Sequence, residues 1–257
     1  MQKKKEWGTV LSQKEMAPDI FDMWIRTSLA VSARPGQFIA VYPQAESTLL
    51  PRPISICETD REGERLRIVY RIAGKGTREF ASYRQGDTIA VMGPLGNGFL
   101  LEAAEGRRTF LIGGGIGIPP MLQLAKELTG EKTVIAGYRD RHLFLKEDFE
   151  QYGTFYAATE DGSEGTKGNV MDAIAAQGLT ADVIYACGPM PMLRAVKAYA
   201  QDVGIRAYLS LEERMACGVG ACLGCVCKTT KKDGHSHVNN ARICTDGPVF
   251  EAGEVDI

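Results

Sequence analysis

Cysteine is concentrated near the C-terminal end of the chain, where residues 217–227 read CGVGACLGCVC. Cys217, Cys222 and Cys225 have the spacing C-x4-C-x2-C, and Cys244 follows farther along. This is the plant-type arrangement of ligands for a 2Fe-2S cluster. One loop with this spacing can fold around a compact anionic core, while the fourth thiolate arrives from a distant segment. We therefore predict that these four thiolates hold a 2Fe-2S cluster.

A structural zinc site is the alternative for the same cysteines. Zinc sites usually contain two C-x2-C pairs, whereas the candidate ligands include one such pair, Cys222 and Cys225. Cys227 is a surplus thiol, which we interpret as a small packing residue. His235 and His237 could indicate a Rieske-type site, but four thiolates already complete the coordination, so we interpret both as exposed loop histidines. The pattern favours the cluster over zinc.

A glycine-rich turn lies in the middle of the chain, where residues 111–121 read LIGGGIGIPPM. The turn follows a predicted strand and opens a predicted helix, so its N–H groups could bind a pyrophosphate. Gly113 and Gly115 fit the first two positions of G-x-G-x-x-G, but Ile118 occupies the third. A tight connection without a ligand would leave the same pattern. We predict that Gly113, Gly115 and Gly117 contact a nicotinamide dinucleotide.

A second turn, CGPMPM at residues 187–192, joins a predicted strand to the last predicted helix. It places Cys187 and Gly188 at the carboxyl edge of the same sheet, where ligands bind in open α/β sheets. The alternative for Cys187 is a small buried residue at a strand end. We predict that both residues belong to the nicotinamide site.

Two segments of the N-terminal part carry groups that suit a phosphate. RPISI at 52–56 sets an arginine and a hydroxyl on a β segment, and VYRIAGKGT at 69–77 ends in a flexible turn. The planar guanidinium of Arg52 can make paired hydrogen bonds to phosphate, and Ser55 and Thr77 are short donors. An edge strand with a surface arginine and an exposed turn is the alternative. Together, ahead of a nucleotide-type domain, the two segments favour a flavin site.

The surrounding segments predict three domains in series. From residue 7 to about 100, short β segments broken by Gly and Pro indicate a small antiparallel barrel. The first strand predicted in this part covers residues 23–29. Short apolar strands then alternate with helical stretches, which indicates a parallel sheet covered on both faces. Periodicity ends near residue 213. The predicted fold class is multi-domain β plus α/β. The boundaries are 1–102 for an FAD-binding barrel, 103–212 for an NAD-binding α/β domain and 213–257 for a 2Fe-2S domain.

Composition excludes several classes of function. The chain of 257 residues is 44% hydrophobic and 24% charged, which is typical of globular proteins. A formal net charge of -2 gives no electrostatic reason to expect nucleic acid or an anionic membrane as partner. The basic N-terminal residues precede no apolar run, so they do not form a signal peptide. Seven cysteines, an odd number, point to metal binding in a reducing compartment. We expect a cytoplasmic protein.

With these motifs, the chain resembles the ferredoxin-NADP reductase superfamily, whose flavin barrels carry an R-x-x-S-like motif and whose nicotinamide domains carry glycine-rich and C-G-P turns. More narrowly, MACGVGACLGCVCKT and the later RICTDGPVF resemble the electron-transfer subunits of bacterial two-subunit, NAD-dependent dihydroorotate dehydrogenases. The resemblance covers essentially the whole chain. It implies that the cluster ligands are Cys217, Cys222, Cys225 and Cys244. It also implies that the residues that contact FAD are Arg52, Pro53, Ile54, Ser55, Val69, Tyr70, Arg71, Gly76 and Thr77.

This resemblance implies a relay from the cluster through FAD to NAD⁺. Nicotinamide exchanges a hydride whereas a cluster takes single electrons, so a flavin must mediate between them. Beyond these sites, the sequence contains no evident constellation of base, acid and anion clamp for an organic substrate. The resemblance therefore implies a separate FMN-containing catalytic subunit that oxidises dihydroorotate in pyrimidine biosynthesis. The two subunits would form a heterotetramer with two copies of each.

Two other functions fit the same motifs. One is a subunit of a related flavin and iron-sulfur oxidoreductase, of the ferredoxin:NADP or sulfide dehydrogenase type. The other is a zinc-stabilised regulatory module. NADP would require a basic cradle for its 2′-phosphate. Arg139 and Arg141 lie near the relevant strand, but Asp140 between them would repel that phosphate and could accept a ribose hydroxyl. We therefore predict NAD as the dinucleotide.

Overall fold

A computed structural model describes residues 3–45, 47–232 and 237–257. Over these residues, the N-terminal part forms a closed barrel of six antiparallel strands in the order β1-β2-β5-β4-β3-β6. The strands are β1 (Lys4–Ala17), β2 (Ile20–Arg26), β3 (Phe38–Tyr42), β4 (Arg52–Asp60), β5 (Arg65–Arg71) and β6 (Thr88–Leu95). Apolar side chains at alternate positions fill the interior, among them Met23, Ile25 and Ile68. The predicted barrel is confirmed.

Strand β1 is the part of the barrel that the sequence prediction did not name. Only three of its fourteen residues are buried, namely Gly8, Val10 and Ala17. Its other positions carry mostly charged or polar side chains, so the alternation that marks a half-buried strand is weak. The strand is nevertheless essential to the barrel, because it pairs with both β2 and β6 and thereby closes the sheet.

The central part forms a parallel sheet in the order β10-β9-β8-β7-β11-β12. Its strands are β7 (Thr109–Gly114), β8 (Lys132–Tyr138), β9 (Thr154–Thr159), β10 (Thr166–Lys167), β11 (Val183–Cys187) and β12 (Arg206–Ser210). The helices are α1 (Lys75–Phe80), α2 (Pro120–Glu127), α3 (Lys146–Glu150), α4 (Val170–Ala176) and α5 (Met190–Val203). Short 3-10 turns span Ser28–Val31, Leu101–Ala104 and Gly115–Gly117.

Helices cover both faces of this sheet, as the uniformly apolar strands predict. Ile112 faces one core together with Val170 of α4 and Leu193 of α5. The adjacent Leu111 faces the opposite core, together with Met121 of α2 and Phe149 of α3. Successive side chains of one strand therefore bury themselves in two different layers.

The C-terminal segment contributes β13 (Val226–Lys228), β14 (Asn240–Arg242) and β15 (Val249–Glu251). The first two pair as an antiparallel hairpin, whereas β15 adds antiparallel to β12 at the edge of the large sheet. The predicted cluster segment thus supplies the last strand of the α/β sheet. The three domain boundaries stay a prediction. In the described part of the chain, no helix has both the length and the apolar character needed to cross a bilayer.

Candidate functional site

A cleft opens in the barrel because β4 and β5 pair over only part of their length. Their antiparallel ladder extends as far as Ile56 opposite Ile68. Beyond that point, residues 52–55 pair with β3 and residues 69–71 pair with β2, so the two strands diverge. The diverging segments are the two that the sequence assigns to the flavin. Backbone polar groups on the facing edges of these segments become available to a ligand.

The flavin cleft, as we name this opening, has an empty volume of about 1050 Å³ including the solvent at its mouth. Of the nine predicted flavin residues, eight line it: Arg52, Pro53, Ile54, Ser55, Val69, Tyr70, Arg71 and Thr77. The sequence did not predict the remaining lining residues: Phe38, Ala73, Ile116, Ser210, Leu211, Glu212, Glu213, Met215 and Pro248. The structure therefore brings the predicted residues together and adds a wall from the segment that precedes the cysteine loop.

Gly76 lies behind Arg52 rather than in the lining. A Cβ atom at this position would lie 2.9 Å from Arg52 Nε, so the glycine makes room for the guanidinium. Arg52 is held on its other side, where Nη1 donates to the Leu50 carbonyl at 2.7 Å. Thr77 Oγ1 accepts a hydrogen bond from the Ala73 N–H at 2.8 Å, so it also shapes the turn ahead of α1.

The flavin cleft fits the chemistry of FAD. Ile54 and Val69 give it apolar walls that suit a flat ring system, and Arg52 provides a cation that suits the phosphates. Tyr70 forms a fixed part of the wall, because its ring stacks on Phe21 with centroids 5.9 Å apart. Burial raises the pKa of Tyr70, so the phenol stays neutral. The residues present can therefore hold FAD.

The two turns predicted for the dinucleotide meet at one sheet edge. Gly113 of β7 lies opposite Cys187 of β11. A Cβ atom on Gly117 would collide with the Cys187 carbonyl, so only glycine allows this approach. A Cβ atom on Gly188 would lie 2.6 Å from Met192 Cε and 3.1 Å from the Gly114 backbone N, so the side chain of Met192 would have to move to admit it.

A second opening, which we name the dinucleotide cleft, lies between this sheet edge and the barrel. Its empty volume is about 1350 Å³, solvent at the mouth included. Residues 17–20 of the barrel form one wall, and residues 114–116 and 137–140 of the sheet form part of the other. Arg71 and Ile116 line both clefts, so the two openings are adjacent.

The predicted dinucleotide residues divide into two groups. Gly115 lines the dinucleotide cleft, has a φ of +53° and faces open space. Gly113, Gly117, Cys187 and Gly188 do not line it and instead hold the two turns together. Cys187 is 1% exposed, as the packing alternative for it predicts. These residues shape the site from behind.

Asp140 lies in the lining of the dinucleotide cleft together with Arg139 and His142. Its Oδ1 accepts a hydrogen bond from the His142 backbone N–H at 3.0 Å and lies 2.6 Å from His142 Nδ1. The backbone hydrogen bond lowers the pKa of Asp140, so the carboxylate is charged at neutral pH. Arg141 is not among the lining residues. An anion in this wall disfavours a 2′-phosphate.

The hairpin of β13 and β14 explains how the fourth cysteine reaches the others. Eighteen residues separate Cys225 from Cys244, and the hairpin returns the chain so that the Ile243 N–H donates to the Cys225 carbonyl at 2.9 Å. Cys225 and Cys244 are therefore neighbours despite the long interval. His237 is exposed, as predicted, and His235 lies outside the described residues.

The four thiols form two neighbouring pairs, Cys217 with Cys222 and Cys225 with Cys244. A hydrogen bond from the Val219 N–H lowers the pKa of Cys217 to about 6. Burial, followed by the contact with Cys225, raises the pKa of Cys244 to about 12. In the described residues, no three His, Cys, Asp or Glu side chains converge on a point for one metal ion. The four thiols thus lie near one another, as a set of four thiolate ligands for a 2Fe-2S cluster requires.

The cysteine loop, residues 217–225, lies directly beside the flavin cleft. Met215 lines the flavin cleft, and Cys217 follows two residues later. A Cβ atom on Gly218 would lie 3.4 Å from Leu95 of the barrel, so the loop packs against β6. On the opposite side, Cys222 is exposed. The loop therefore has one side toward the barrel and one toward solvent.

Two families of known proteins match parts of this chain. Residues 212–256 match the family described as "Iron-sulfur cluster binding domain of dihydroorotate dehydrogenase B". Residues 111–198 match the family described as "Oxidoreductase NAD-binding domain". A solved structure of an NADH-dependent reduced ferredoxin-NADP oxidoreductase superposes with a TM-score of 0.86 and 30% identity, over 97% of this chain and 89% of that one. A ferredoxin NADP+ reductase from Neisseria gonorrhoeae with bound FAD and NADP, at 19% identity and a TM-score of 0.65, shares the fold; it covers 82% of this chain and 94% of that one.

Relatives named "Dihydroorotate dehydrogenase B (NAD(+)), electron transfer subunit" match over almost their whole length. The protein of Bacillus caldolyticus is 46% identical over 98% of both chains. That of Geobacillus sp. (strain WCH70) is 43% identical, also over 98% of both chains. At this identity and coverage, the chain belongs to the family of electron transfer subunits of dihydroorotate dehydrogenase B (NAD(+)).

Proposed function

We propose that this chain passes electrons between a catalytic partner and NAD⁺. The observation that carries the proposal is the serial arrangement of three sites: the cysteine loop adjoins the flavin cleft, and the flavin cleft shares Arg71 and Ile116 with the dinucleotide cleft. When bound, the cluster supplies single-electron transfer and FAD supplies the change between single electrons and hydride. The fold supplies binding and orientation.

The chain's own residues divide the work in this proposal. Four thiolates hold the irons. Arg52, whose guanidinium occupies the space beside Gly76, binds FAD phosphate. Asp140 accepts a ribose hydroxyl of NAD and repels the 2′-phosphate of NADP. Ile116 contributes an apolar side chain at the boundary of the two clefts, where it helps to exclude water from the place of hydride exchange.

The family names support the narrower assignment. We propose that the partner is the FMN-containing catalytic subunit of dihydroorotate dehydrogenase, that two copies of each subunit form a heterotetramer, and that the complex acts in pyrimidine biosynthesis in the cytoplasm. The exposed edge at Cys222 is a surface through which electrons could enter from that partner. A ferredoxin-NADP oxidoreductase role is the rival, because a structure with that activity is 30% identical.

The test is to co-express the chain with the catalytic subunit from the same genome, purify the complex and measure orotate formation from dihydroorotate. We expect turnover with NAD⁺, a much lower rate with NADP⁺, and no NAD⁺-linked turnover from either subunit alone. A complex that does not oxidise dihydroorotate but reduces ferredoxin with NADH would overturn the narrower assignment.

A further inference from the structure

A buried guanidinium lies at the junction of the barrel and the α/β sheet. Arg67 of β5 is 5% exposed. Its Nε and Nη2 donate to the two carboxylate oxygens of Asp22 at 2.9 and 3.0 Å. Its Nη1 donates to Asp148 of α3 at 2.9 Å and to Glu58 of β4 at 3.2 Å. One side chain thus binds three carboxylates from three different elements.

The charges of this cluster balance. Lys14 lies 3.8 Å from Asp22, and Lys126 lies 3.0 Å from Glu58. Together with Arg67, they give three cations against the three carboxylates. A buried charge is tolerated when it is paired and hydrogen-bonded, and removing one partner leaves an uncompensated charge. Asp148 is the one carboxylate of the cluster that comes from the α/β domain.

The carboxylates of Asp22 and Asp148 belong to segments that form opposite walls of the dinucleotide cleft. On the barrel side, the lining residues 17–20 lead directly into β2, where Asp22 lies. On the sheet side, the lining residues Arg139, Asp140, His142 and Phe144 lead directly into α3, where Asp148 lies. Arg67 therefore contacts one residue that adjoins each wall in sequence.

The start of α3 has an unusual backbone conformation, close to the contact between Arg67 and Asp148. Leu145, between the lining segment and the helix, has a φ of +67°, which a leucine rarely adopts. Its carbonyl accepts the Phe149 N–H at 3.0 Å, and Phe149 is fully buried. The Arg67 contact with Asp148 fixes the same turn of helix from the barrel side. Loss of that contact would remove the ion pair that ties this turn of helix to the barrel.

We infer that Arg67 is a positioning residue that sets the width of the dinucleotide cleft through its simultaneous contacts with Asp22 and Asp148. The inference rests on the proposed function, because it takes NADH as the ligand of that cleft. NADH must contact both walls at the same time. A wider cleft therefore weakens NADH binding. Asp148 does not line the flavin cleft and lies far from the cysteines in sequence, so its substitution should leave FAD and the cluster in place.

Another ion pair between the two domains provides a matched control. Arg61 contacts Glu127 of α2 at 2.6 Å. Neither residue lines the dinucleotide cleft, and neither belongs to the segments that form its walls. The Glu127→Gln substitution removes one carboxylate from an arginine at the domain boundary, as Asp148→Asn does, but at a distance from the cleft walls.

The experiment mixes NADH with the purified holoprotein in an anaerobic stopped-flow instrument and follows flavin absorbance, which gives an apparent Kd for NADH and a limiting rate. We expect Asp148→Asn to raise the Kd about tenfold, equivalent to about 1.4 kcal/mol. Asp148→Glu, which keeps the charge, should stay within about twofold of the wild type, and so should Glu127→Gln. FAD and iron contents should not change. Arg67→Lys, which keeps the charge but loses the planar fork, should raise the Kd as well.

An unchanged Kd in Asp148→Asn would overturn the inference. So would an equal rise in Glu127→Gln, because that result would indicate general loosening of the domains, or loss of FAD from Asp148→Asn, because Asp148 would then be structural. A wild-type protein whose flavin NADH does not reduce would contradict the proposed function instead, so the two failures are distinguishable.

Discussion

At the scale of single residues, the four cysteines predicted to hold the cluster have different environments. Cys217 accepts a hydrogen bond from the loop backbone, which lowers its pKa to about 6, whereas burial raises that of Cys244 to about 12. The hydrogen bond therefore favours the thiolate at Cys217, whereas burial disfavours it at Cys244. A cationic iron centre compensates for that burial, because metal binding displaces the thiol proton.

The assignment of Cys244 as a ligand can be tested with two serine variants. Cys244→Ser should lower the iron content per FAD to below about a tenth of the wild-type value, because a buried hydroxyl is a poor replacement for a thiolate ligand. Cys227→Ser should retain the iron, because Cys227 lies on β13 and is not among the four predicted ligands. Iron and acid-labile sulfide are measured per FAD on purified protein. Equal iron contents in the two variants would contradict the ligand assignment.

At the scale of elements, close approaches of the backbone build the cofactor sites. The flavin cleft exists because β4 and β5 separate beyond Ile56 and Ile68. The edge of the dinucleotide cleft exists because the turn after β7 touches the turn after β11, where Gly117 meets the Cys187 carbonyl. Both features depend on backbone geometry more than on any one functional side chain.

The contact between the two turns can be tested with alanine. Gly117→Ala would force them apart, and overpacking of this kind costs about 1–3 kcal/mol. We expect a Tm lower by several degrees and NADH binding weakened at least fivefold, with the FAD content retained. Gly253→Ala is the control, because a Cβ atom there meets no other atom within 4 Å. Thermal denaturation and NADH titration give both values, and a Gly117→Ala protein indistinguishable from the control would refute the close approach.

At the scale of the whole molecule, the sequence predicts the parts better than their assembly. The cysteine spacing, the flavin segments and the glycine turn are local patterns, and the structure brings the flavin segments together in one cleft. Contacts between distant segments were not predictable. They include the wall at Glu212 and Glu213, the position of Ile116 in both clefts and the Arg67 cluster. No periodicity or motif marks a pairing of residues 81 positions apart, such as Arg67 and Asp148. Strand β1 was not predicted because only three of its fourteen residues are buried, so it lacks the apolar alternation of a half-buried strand.

We propose that, in the whole molecule, three adjoining sites form one path for electrons. The most direct measurement is electron paramagnetic resonance of the purified chain under anaerobic conditions, after NADH and then dithionite, with flavin absorbance recorded in parallel. We expect a protein with FAD and about two irons per chain. NADH should bleach the flavin, and a rhombic signal of a reduced 2Fe-2S cluster should develop. A colourless protein that contains zinc, or a flavoprotein that gives no cluster signal with either reductant, would contradict the proposed path for electrons.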